Sequence, residues 1–169
     1  MVHTDLDAAF KQIVDTTAGR LKPMGFKKSR ATFRKLCDGN SGLIEFQRSL
    51  ANTREKVSFT VNLAVICGRL LDPEYQSVER AGALDGHLLE RIGTLLPVRT
   101  DTWWVIEAET DVSALALEVA GIIETIGAPY VERYIHTEDL ITAWKAGKSL
   151  GTGEFTRARY LAELSGDRG

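Results

Sequence analysis

The sequence predicts an α+β fold: an antiparallel sheet of about four strands, a three-strand meander plus a Trp103-Trp104 strand, with helices packed on its apolar face. Three observations carry this. Between Lys56 and Val65, residues Val57, Phe59, Val61, Leu63 and Val65 are apolar, while Ser58, Thr60, Asn62 and Ala64 between them are small or polar. Successive side chains on a strand point to opposite faces, so the alternation describes a central strand with one apolar and one polar face. Leu6, Phe10, Ile13, Val14, Thr17 and Leu21 recur at helical spacing, as do Leu115, Val119, Ile122, Ile123 and Ile126, which supplies two helices to cover the apolar face. An apolar content of 44% with 26% charged residues, over 169 residues, suits one globular core.

The first helix is read as starting at Thr4, with Asp7 as its capping-box partner, and stopping where Lys22 precedes Pro23 and Gly25. Phe26 to Cys37 reads as one strand region, with Phe33, Lys35 and Cys37 on one side and Arg34 and Leu36 on the other. A turn cluster follows at Asp38-Gly39-Asn40-Ser41-Gly42, then a second strand from Leu43 to Ser49. Setting Phe46 opposite Phe59 and Ile44 opposite Val61 joins apolar face to apolar face. The same pairing gathers Gln47, Ser58, Thr60 and Asn62 on the other face.

Beyond Gly68, Asp72-Pro73-Glu74 predicts a short helix reaching Arg80. Leu88, Ile92, Leu95 and Leu96 predict another that ends before Pro97. Asp101 to Glu107 is the fourth strand, and because neighbouring residues face oppositely, Trp103 and Trp104 cannot share one core. Thr110 or Asp111 caps the next helix, which is expected to end at Gly127. Pro129 opens a short helix, Thr137 another with Leu140, Ile141 and Trp144, and Glu154 to Leu164 a last one. The organisation is one α+β domain over 1–147 with a C-terminal extension over 148–169.

Composition narrows the function classes. Cys37 and Cys67 are too few for a disulfide scaffold or a structural zinc site. In a meander they stand two strands apart, about 9–10 Å, too far for a bridge, so both read as reduced and partly buried. No uninterrupted apolar run approaches the roughly 20 residues of a membrane span. The N-terminus lacks the basic start and apolar middle of a secretory signal, so a cytoplasmic location is expected. Net charge is only −2, but Arg20, Lys22, Lys27, Lys28, Arg30, Arg34 and Lys35 form a basic stretch without an acid, and from Asp101 to Asp139 the balance inverts.

Signatures of catalysis are absent: no glycine-rich phosphate loop, no nucleophile elbow, no paired histidines on a helix. Gly147-Lys148-Ser149 lacks the upstream glycine a phosphate loop requires. His87 with Glu90, and His136 with Glu132 and Asp139, are solvated pairs rather than ligand sets, so neither metal nor cofactor is expected. The strongest candidate site is the polar sheet face, Gln47, Ser58, Thr60 and Asn62, joined by Arg34 and Trp104. Hydrogen-bonding groups beside an aromatic ring suit a small ligand or a protein partner, which points to a non-enzymatic binding module of immunity or regulatory type. Two alternatives stay open: an enzyme site assembled from Arg34, Asp101 and His136, and nucleic-acid binding through the basic Lys27–Lys35 region.

Lys22-Pro23-Met24-Gly25-Phe26-Lys27-Lys28, Thr32-Phe33-Arg34, Phe46-Gln47-Arg48-Ser49, Phe59-Thr60-Val61-Asn62-Leu63 and Asp101-Thr102-Trp103-Trp104 stand in an order and spacing that resembles the domain-of-unknown-function 4304 family. The resemblance runs from about Leu6 to Trp144. It implies a bacterial, cytosolic, single-domain protein, and brings with it no activity, cofactor or catalytic residue.

Overall fold

The structure is a computed structural model and describes residues 5–74 and 76–166. Thr4 lies outside the described residues, as do 167–169 of the tail. Helix α1 spans Leu6–Leu21 and is capped by Asp5, whose carboxylate accepts from the amides of Asp7 and Ala8 at 3.0 and 3.1 Å. Its buried face is Ala9, Phe10, Ile13, Val14, Thr17 and Leu21, the stripe that helical spacing predicts except that Ala9 joins it and Leu6 is only half-buried. Lys22–Met24 tightens into a 3-10 turn, and Gly25 leaves it at φ +90°.

The region Phe26 to Cys37 is two strands, not one: β1 (Lys27–Ser29) and β2 (Thr32–Cys37), folded into a hairpin over Arg30 at φ +55°. The next turn holds only Asp38 and Gly39, at φ +56° and +73°, the left-handed pair that a two-residue hairpin needs. Asn40, Ser41 and Gly42 therefore belong to β3 (Asn40–Arg48) rather than to a loop. Strand β4 runs Val57–Ile66, and Val57, Phe59, Val61, Leu63 and Val65 are all buried in the main core.

The β3–β4 register lies two residues from the expected one. Phe46 faces Val61 and Ile44 faces Leu63, while Gln47 sits opposite Thr60. A shift of two keeps every side chain on its expected face. The wider hairpin has a cause in Asn52, whose amide donates to the Ser58 carbonyl and accepts from the Ser58 amide.

Two expected helices are absent. Among the described residues, 72–80 forms turns, and 88–96 forms strand β5 (Leu88–Arg91) followed by a 3-10 turn over Ile92–Leu95. The free edge of a long buried strand needs partners for its peptide groups, and β5 supplies them from Asn62 to Val65. Strand β6 (Trp104–Ile106) takes the same edge of β4 at Val57–Phe59. The sheet order is β1-β2-β3-β4-β5, with β6 beside β4 below β5.

Asp111 caps α2 (Val112–Ile122) by accepting from the Ala114 amide. The chain does not stop at Gly127: a π turn over Ile123–Gly127 runs directly into α3 (Ala128–Tyr134). Pro129 brings no amide to the ladder, and the wider turn before it accommodates the missing bond. The continuous helix, Val112–Tyr134, has the length and hydropathy of a membrane span, which interruption at Gly127 would have precluded. Its Ala116, Val119, Ile123, Ala128, Val131 and Tyr134 are buried in the main core beside α1. Helices α4 (Thr137–Lys145) and α5 (Glu154–Leu164) follow. Residues of the 148–169 stretch pack on the body: Tyr160 meets His87 and Trp144, the Leu150 carbonyl accepts from the Leu89 amide, and the Leu164 carbonyl accepts from Arg69.

On the apolar face Phe10, Phe46, Phe59 and Trp104 form an aromatic cluster, with ring centroids 5.6 to 6.0 Å apart along the chain of contacts. Gly42 opens this face to α3, since a Cβ there would stand 2.5 Å from Val131.

Candidate functional site

The second face of the sheet is divided. At the Ile66 end it is roofed by residues 71–74 and 76–83, and Leu43, Ala64 and Ile66 form a small second core with Ala81 and Ala83, flanked by Leu71, Val78 and Leu89. Arg34 holds the roof down. Its guanidinium donates to the Val78 and Ala81 carbonyls and to the Ser41 hydroxyl, each at 2.6 Å. Burial depresses the pKa of this arginine from its ordinary value, against the pull of Glu79. Planar donors in a fixed fork suit two carbonyls that a single ammonium could not serve alike.

Towards Val57 the same face changes character. Asn62 donates to Gln47 at 2.8 Å and reaches Glu45 at 3.4 Å. The Thr60 hydroxyl donates to the Thr102 carbonyl at 2.8 Å, which ties the segment before β6 to the sheet. Thr60 and Asn62 are buried, whereas Glu45, Gln47, Ser58 and Arg91 are half-buried around them. Arg91 stands opposite Asn62 in the β4–β5 register. Its guanidinium lies 5.1 Å from the Trp103 ring centre, and the Trp103 indole N–H donates to Asp101 at 3.0 Å. Asp101 also pairs with Arg91 at 3.4 Å. A half-buried indole is thus held between a cation on its face and a carboxylate on its edge.

Gln47, Ser58, Thr60 and Asn62 do share one face, with Asn62 bonded to Gln47 and Thr60 to the Thr102 carbonyl. Arg34 is on that face too but is committed to the roof. Trp104 is not: it pairs with Phe59 in the sheet, stacks on that ring at 5.7 Å, and is 8% exposed in the main core. The tryptophan of the second face is Trp103, which leaves the strand just before β6 begins. Parity assigns the two tryptophans to opposite faces, and pairing against Phe59 decides which goes where. Helical spacing over 88–96 gives no sign that Arg91 stands opposite Asn62 on this face.

Arg34, Asp101 and His136 do not converge. Their contacts are, respectively, the roof carbonyls, Arg91 with Trp103, and the turn residues Cys37 and Asp38. The basic stretch is partly consumed as well: Arg20 pairs with Glu124, Lys28 with Asp15, and Lys35 with Glu132 and the Met24 carbonyl. His87 and Glu90 are not a helical pair, because both belong to the β5 region. The His87 ring is buried and its Nδ1 accepts from the Cys67 amide at 3.0 Å. Among the described residues no three of His, Cys, Asp or Glu are grouped to hold a metal ion.

A family model described as "Domain of unknown function (DUF4304)" matches residues 18–133, a narrower span than Leu6 to Trp144. No curated protein and no solved structure matches the chain.

Proposed function

The chain belongs to the domain-of-unknown-function 4304 family, and from that premise, which supplies no activity, we propose that it is an interaction module docking a protein partner on the unroofed half of its second sheet face. The observation that carries this is Trp103, half-buried, stacked by Arg91 and pinned by Asp101 at the rim of the Gln47–Asn62 strip. Tryptophan and arginine are the residues on which interface energy most often concentrates, and a ring already held in place loses little freedom on docking. Around it Glu45, Gln47 and Ser58 offer a polar rim.

The strip is mixed in polarity, which favours a folded partner with donors and acceptors of its own over a small apolar ligand. A photo-crosslinking residue at position 105, exposed on β6 beside the strip, is the test, with position 117 of α2 as the control on the other side. The reading expects one discrete adduct from position 105, absent from 117, that falls at least tenfold in Trp103→Ala and Arg91→Ala. Equal adducts from both positions, or from wild type and both variants, would refute it.

A further inference from the structure

A thiol, an imidazole and a carboxylate meet at the far corner of the molecule from Trp103. Cys37 ends β2, Asp38 is the first residue of the turn, and His136 is the residue before α4. The Cys37 Sγ lies 3.8 Å from His136 Nε2, and His136 Nδ1 lies 3.8 Å from Asp38 Oδ2. Cys37 is half-buried, while His136 and Asp38 are exposed over about half their side chains (50% and 49%).

The hairpin sets His136 in place from both sides. Asn40 donates to the Ile135 carbonyl at 2.7 Å and to the Thr137 hydroxyl at 3.0 Å, and Asp38 accepts from the Thr137 amide at 3.2 Å. The residues flanking His136 are thus bonded to the turn that carries the thiol. Beyond Asp38 a cleft of about 610 Å3 opens, lined by Asp38, Asn40, Arg69 and Ser77 among others. The second cysteine takes no part: Cys67 is buried and its Sγ contacts the Thr137 hydroxyl at 3.7 Å.

We propose that Cys37 is a reactive thiol that undergoes exchange with low-molecular-weight disulfides, with His136 as its base and Asp38 as a positioning residue. The order of groups is the one a nucleophile, its base and an orienting carboxylate require. His136 Nε2 takes the thiol proton, and the thiolate attacks one sulfur of the disulfide. A new S–S bond forms to Cys37, the old one breaks, and the departing thiolate takes the proton back from the imidazolium. Asp38 faces the other ring nitrogen while that charge exists. No electron acceptor beyond the disulfide is needed, and the cleft that begins at Asp38, the residue after Cys37, gives room beside the turn for the half that remains attached.

The native protein is treated separately with oxidised glutathione and with dithiobis(nitrobenzoate), and thiol release and peptide mass are followed. The expected result is one adduct per chain, on Cys37, none on Cys67, and none at all in Cys37→Ser. His136→Gln should slow the reaction by about tenfold or more, the lower range of base assistance. Asp38→Asn is the sharper variant. Asparagine suits the left-handed turn position, and its amide oxygen still accepts from Thr137, so the melting temperature should hold while the rate falls severalfold. A role in the turn alone would leave that rate unchanged. Wild-type rates in His136→Gln or in Asp38→Asn overturn the proposal, as does labelling of Cys37 that requires denaturant.

Discussion

One strand, β4, runs beneath two regions of the second face that differ in how they are held. At the Ile66 end, Ala64 and Ile66 lie under the roof in a small apolar core, closed by two hydrogen bonds from one arginine. At the Val57 end, Thr60 and Asn62 are buried almost as deeply, but their side chains are hydrogen-bonded, Thr60 to the Thr102 carbonyl of the segment before β6 and Asn62 to Gln47, rather than packed in an apolar cluster. The contrast teaches that burial alone does not say what a face is for. The first region is sealed by apolar contact around a charged clamp, and the second is a satisfied polar surface whose rim remains accessible.

On the second face the largest expected effect is on the clamp. Arg34→Met removes the donors to Val78 and Ala81 and leaves two part-buried carbonyls without them, at a cost of about 3–4 kcal/mol. Urea unfolding should show the loss, and amide exchange should show 78–83 opening while Thr60 to Asn62 stays protected. Uniform deprotection of both halves would erase the distinction between them.

Acid should weaken the roofed end next. His87, which joins the roof to β5, has its pKa lowered from 6.5 to about 4, first by burial and then by Arg159, with Asp85 pulling the other way. The unfolded chain binds a proton as pH falls through about 6.5, while the folded chain resists until about 4, so stability is full above that window and is lost as pH falls through it. The whole shift is worth about 3 kcal/mol, with about 2 gone by pH 5. Protonation also puts a hydrogen on the Nδ1 that accepts from Cys67. Urea midpoints compared at about pH 7.5 and about pH 5 test this, and His87→Gln should flatten the dependence.

How far the two regions were legible follows from what writes each into the sequence. The alternation from Val57 to Val65 is local, and it fixed the strand, its faces and the company of Gln47, Ser58, Thr60 and Asn62. The roof is held by Arg34 to backbone carbonyls, and a carbonyl leaves no trace in residue identity. The stretch Leu88 to Leu96 satisfies helical spacing, but what decided it was the demand of β4's free edge, a partner distant in the chain. The two-residue register shift came from Asn52 widening its loop, a polar side chain in a stretch where only turn propensity could be read. The Cys37, Asp38 and His136 corner joins residues about a hundred positions apart, so no spacing rule could have assembled it.

A milder change separates hydrogen bonding from shape in the strip. Thr60→Val keeps the volume of a fully buried side chain and deletes its bond to the Thr102 carbonyl. The expected cost is about 1–2 kcal/mol, read as a lower urea midpoint. The segment before β6 should exchange faster, and the roof should not change.

The smallest effect on stability is expected where the effect on binding is largest. Trp103 sits outside the main core, and its contacts, Arg91 on the ring and Asp101 at the indole N–H, are themselves at the surface. A stacked surface pair of this kind contributes little to folding, so Trp103→Ala should shift stability by no more than about 1 kcal/mol. Trp104→Ala, one residue on, removes a ring packed on Phe59 and should cost about 3–5 kcal/mol. Two adjacent tryptophans would then divide by face. If Trp103→Ala destabilises the fold as much as Trp104→Ala does, the indole belongs to the scaffold and the docking surface loses its anchor.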